Sequence, residues 1–137
     1  MVTVVLRYNI PSFLSIPEKT ELATAVLLLP VNDPPMPSLA ITFFSASSFP
    51  LAFPPTIARG FGWPQFGLGI EGVNARIGRW LMEQLANGEK ANPQNDGPTR
   101  IRGWALMDFY EDPENALVPL LVECNFRGRV KGDEGWQ

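Results

Sequence analysis

Residues 72–88 read GVNARIGRWLMEQLANG, and no other stretch of the chain has so clean a helical period. Val73, Ile77, Trp80, Leu81 and Leu85 recur at three- and four-residue steps, which gathers them on one stripe of a helix. Arg76, Arg79 and Glu83 fall on the other side. Asn74 offers a side-chain oxygen as an N-cap, and Asn87-Gly88 is a stop signal, so the pattern predicts a helix over residues 73–87. Gly78 costs such a helix roughly 1 kcal/mol relative to alanine, which points to a close neighbour there. A helix of this length is marginal alone in water, so its apolar stripe needs a surface to lie on. The expected surface is a sheet.

Downstream, residues 89–98 are polar and rich in turn formers, as in a surface loop. Residues 99–109 and 117–130 then alternate on either side of the acidic run Glu111 to Asn115, which predicts a C-terminal β-hairpin. Its apolar face would carry Ile101, Ala105, Met107, Phe109, Val118, Leu120, Val122, Cys124, Phe126 and Val130 toward the helix. Its outer face would carry Arg100, Arg102, Trp104, Asp108, Glu123, Asn125, Arg127 and Arg129.

Upstream, residues 2–10 alternate as a half-buried strand. Residues 18–31 fit two readings. Ser15-x-x-Glu18 resembles a capping box, while Thr24, Val26 and Leu28 fit a strand, and the strand is favoured. Residues 38–47 are apolar on both faces, as in a central strand. Residues 48–66 show no period and read as an ordered irregular segment. Together these expectations give a single α+β domain over residues 1–137. Its mostly antiparallel sheet has five or six strands, with one main helix packed on it.

The composition restricts function. The chain has 137 residues, a net charge of −3 and no histidine, so the usual proton carrier near neutral pH is missing. Cys124 is alone, which excludes an internal disulfide and a cysteine-rich zinc site. The acidic residues Asp108, Glu111, Asp112 and Glu114 lack the spacing of a calcium loop, and no metal or cofactor is expected. The start MVTVVLRYN lacks a charged region ahead of an apolar core, so no secretion signal is read and an intracellular or particle-borne protein is expected.

Between Leu22 and Ile70 only Asp33 and Arg59 are charged, yet prolines break that span too often for a membrane-crossing helix. So long an uncharged stretch needs cover, from its own core or from a partner. The aromatic residues Phe49, Phe53, Phe61, Trp63 and Phe66 mark a candidate interface, with Trp136 in the otherwise polar tail. The favoured reading is a non-enzymatic structural or assembly subunit that contacts protein partners or copies of itself. Two alternatives stand behind it. Gly67, Gly69 and Gly72 match G-x-G-x-x-G before the helix, a pattern that in other contexts holds an anion or nucleotide. The arginine face, with Trp104, is a less favoured platform for nucleic acid.

Overall fold

The computed structural model describes residues 2–5, 9–27, 39–87 and 103–126. In chain order these form β1 (Val2–Val5), α1 (Ile16–Leu27), β2 (Leu39–Phe43), α2 (Pro54–Arg59), β3 (Gly60–Trp63), β4 (Leu68–Glu71), α3 (Val73–Asn87), β5 (Trp104–Leu106) and α4 (Leu117–Phe126). The content is α+β, but the architecture departs from the expected one. Among the described residues there are four α-helices and two small sheets, not one helix on a five- or six-stranded antiparallel sheet. The larger sheet has three strands in the order β1-β2-β5, and both pairings are parallel. The smaller is an antiparallel ribbon of β3 and β4.

The expected helix over 73–87 is present with those bounds. Val73, Ile77 and Leu81 are fully buried, and Trp80 and Leu85 pack against the core they belong to. Burying a leucine or isoleucine side chain contributes roughly 1.5–3 kcal/mol, which is what holds α3 in place. Its stripe meets other helices rather than a sheet face alone: α3 packs against α1, α2 and α4. The neighbour anticipated at Gly78 is Leu117 of α4, whose Cδ2 lies 3.6 Å from where a β-carbon would stand.

Residues 16–27 are a helix, which overturns the strand favoured for 18–31; positions 28–31 lie outside the described residues. Thr24 and Val26 suited a strand because β-branched residues favour one. In α1 the hydroxyls of two threonines bond back to the helix itself, Thr20 Oγ1 to Ile16 O at 3.0 Å and Thr24 Oγ1 to Thr20 O at 3.1 Å. Pro17 sits in the first turn, where a missing N–H costs nothing. Ile16, Lys19, Ala23, Val26 and Leu27 are buried at helical spacing.

The C-terminal hairpin is also overturned. Residues 117–126 form α4, and β5 pairs with β2 in parallel instead of with a following strand. Leu117, Leu120, Leu121 and Cys124 repeat at the spacing of a helical face, and all four belong to or pack on the core. The segment is apolar enough to satisfy both periods, and Pro119, in the first turn, is compatible with helix. Of residues 48–66, read as irregular, most belong to α2, β3 and the 3-10 turn Pro64–Phe66.

The parallel sheet has one face toward helices. Thr42, only 1% exposed, donates from Oγ1 to Ala23 O of α1 at 3.2 Å, and Ala105 packs on the core. Register then places Ile41 with Trp104 and Phe43 with Leu106 on the opposite face, where Trp104 and Leu106 are exposed. No helix among the described residues is long and apolar enough to cross a membrane.

Candidate docking surface

β3 and β4 pair from Gly60 opposite Glu71 to Trp63 opposite Leu68. Between them the 3-10 turn ends at Gly67, whose left-handed φ of 75° closes the loop. Glycines let the two backbones meet: a β-carbon on Gly69 would strike Phe61 O, and one on Gly62 would strike Leu68 O. This is also what the G-x-G-x-x-G match amounts to. Gly67 and Gly69 shape an antiparallel ribbon, and Gly72 joins it to α3; the match does not follow a parallel strand as a dinucleotide loop would.

The ribbon exposes its rings to solvent. Phe61 is 62% exposed, Trp63 65% and Phe66 75%, and Leu68 is exposed beside them. Phe49 and Phe53 lie in the loop before α2, also exposed, with their rings edge to face at 6.2 Å. Two links tie this loop to the ribbon: Phe13 N–H donates to Leu51 O at 3.1 Å, and the Phe13 ring lies 5.8 Å from that of Phe61. The five candidate interface residues described are therefore a neighbouring set, brought together by Phe13. Trp136 lies outside the described residues.

Charge is confined to the base of the ribbon. Arg59, at the end of α2, stacks over the Phe109 ring at 4.5 Å and forms an ion pair with Asp112. Arg79 pairs with Glu71, and Arg76 Nε donates to Glu71 O at 3.0 Å. Exposed pairs of this kind contribute about 0–1 kcal/mol each, so their effect is mostly orientation. Asp112 is engaged by Arg59, and among the described residues no three acidic, histidine or cysteine side chains converge as a metal site. Cys124 is buried, as an inert core thiol would be.

Of the proposed arginine face, Trp104 is exposed on β5. Arg100, Arg102, Arg127 and Arg129 lie outside the described residues. The hairpin pairing that set them opposite one another is absent, because residues 117–126 are helical.

Two polar residues escaped the sequence reading because nothing local marks them as buried. Asn74 is 1% exposed and does not cap α3; it is inside the helix, and its side chain reaches the loop after β5. Lys19 is 3% exposed on the core side of α1, and desolvation by burial lowers its pKa from 10.5 to about 8. The spacing of Ile16, Lys19 and Ala23 would have flagged it had α1 been read as a helix.

Lys19 gives a pH-dependent prediction. Its folded pKa is below its unfolded one, so between about pH 8 and pH 10.5 the unfolded chain binds more protons. Burial of the charged form therefore weakens the fold most below pH 8, and stability gains as pH rises through that window. Denaturant titrations across it should show the rise, and Lys19→Met should flatten it.

Compared with protein-family models, curated proteins and solved structures, the chain matches none of them.

Proposed function

We propose that the protein is a non-enzymatic assembly subunit that associates with other copies of itself through the aromatic ribbon and the adjoining loop. The observation that carries this reading is the exposure of Phe49, Phe53, Phe61, Trp63 and Phe66, each more than half open to solvent. Residues 60–70 hold no charged side chain, so the rings cannot be kept wet by polar neighbours on their own strands. Covering each ring removes apolar area worth roughly 1.5–3 kcal/mol, and aromatic residues are the usual anchors of protein interfaces. The same surface offers no acid, base or nucleophile between Gly60 and Ile70, which favours contact over catalysis.

Sedimentation of the full chain over a wide concentration range tests this. Mass should rise with concentration, and the triple variant Phe61→Ser, Trp63→Ser, Phe66→Ser should remain monomeric. Its melting temperature in dilute solution should hardly change, because these rings contribute little to the chain's own core. A wild-type chain that stays monomeric at its solubility limit would sink the self-association reading.

A further inference from the structure

The loop after β5 is held down by α3 from below. Asn74 Nδ2 donates to Asp108 O at 3.1 Å and to Phe109 O at 2.9 Å. These contacts fix which way the amide points. Turned over, its oxygen would face two carbonyl oxygens and lose both bonds. Oδ1 therefore looks away from the loop, and it is buried with no hydrogen-bond donor reaching it among the described residues. Buried polar atoms in folded proteins are almost always satisfied, by protein or by bound water.

The chemistry of the position selects the occupant. Oδ1 only accepts, so the missing group must donate a proton, which excludes a bare anion. No cluster of three or more metal-ligating side chains is present among the described residues, which leaves a cation without further ligands. Asn74 itself stands in the first turn of α3, whose leading amides helix geometry leaves without acceptors inside the helix. Gly72 and Val73 are buried along with Asn74. One small molecule meets both demands: it donates to Oδ1 and accepts from the first turn of α3.

We propose that Asn74 Oδ1 and the first turn of α3 form the binding site of a single buried water molecule, which joins α3 to the loop that begins at Asp108. The site takes one O–H donor with a free lone pair, and the occupant is part of the fold rather than a passing solvent molecule. Phe109, with a φ of 53° that bulky residues rarely adopt, marks the same loop as one held in place by its contacts.

Two measurements on the full chain test this. A high-resolution crystal structure should show an isolated spherical peak about 2.8 Å from Oδ1. In solution, a 15N-labelled sample should give water cross-relaxation at the Asn74 side-chain amide protons and at the backbone amides of Val73 and Asn74. These signals should carry the sign of a long-lived bound molecule. In Asn74→Leu the backbone signals should vanish; if that variant does not fold, the wild-type data decide alone. A protein donor from elsewhere in the chain on Oδ1, or a dry site without cross-relaxation, would overturn the proposal. So would extended density matched by added mass in native mass spectrometry, since the occupant would then be a small-molecule hydroxyl.

Discussion

Leu117→Ala should lower the unfolding free energy by about 3 kcal/mol, read from denaturant midpoints at unchanged slope. Leu117 is completely buried at the start of α4 and fills the space over Gly78 of α3. Truncation removes three carbons from water-free packing and leaves a hole that two helices, each fixed by other contacts, can close only in part. The size of the loss separates two views of the C-terminal segment. In an exposed strand the same change would cost well under 1 kcal/mol, as surface substitutions usually do. A second variant, Val118→Ala, supplies the contrast, because Val118 is exposed. A Leu117→Ala loss no larger than that of Val118→Ala would mean that α4 does not pack where it is described.

Gly72→Ala should be more damaging still, on the order of 4 kcal/mol or enough to prevent folding. The β-carbon would overlap Ala58 O, Arg59 C and Gly60 N, all of them backbone atoms that cannot rotate aside. Those atoms are where α2 ends and β3 begins, while Gly72 is where β4 ends and α3 begins. The two junctions touch because each places a glycine, Gly60 and Gly72, at the contact. Gly67→Ala is the matched control. Its φ of 75° is one that alanine rarely adopts, but a β-carbon there meets nothing within 4 Å, so its cost should be limited to backbone strain of about 1 kcal/mol. Thermal melts of the two proteins should differ widely. Equal losses would show that the backbone around Gly72 gives way to a β-carbon, and that the close contact is not what demands glycine there.

Which elements were legible follows from how many periods a segment satisfies. α3 fits the helical period and no other, because Arg76, Arg79 and Glu83 interrupt its apolar positions at the correct steps. α4 is apolar at nearly every position, so alternation and helical spacing are both present in LVPLLVEC and local pattern cannot choose. α1 was hidden by the alternation of Thr24, Val26 and Leu28, and the Thr24 hydroxyl finds its acceptor at Thr20 O only once the helix exists. The ribbon strands GFGW and LGIE are rich in glycine, so they resemble loop until they are paired. Parallel pairing of β1, β2 and β5 is a relation between distant segments and leaves no local mark.

The site was legible in one respect and hidden in another. Its rings stand out in sequence as aromatic residues in a stretch without charge. That Phe49 and Phe53 neighbour Phe61 depends on Phe13, forty positions or so upstream, and could not be read from spacing. Asn74 looked like a cap because Asn commonly is one. Its burial and its reach to Asp108 and Phe109 are products of tertiary packing.

The pairing of β2 with β5 has a kinetic side. Ile41 lies opposite Trp104, and α2, the ribbon and α3 all intervene along the chain. The entropy of closing so long a loop must be met before that contact returns any stabilisation, whereas β1 and β2 pair across a shorter stretch of chain. The chain should therefore fold from its N-terminal third outward, with the third strand of the sheet joining last. Until it does, the lower rim of β2 is an open template for another molecule's backbone, and misassembly competes with folding most strongly in that interval.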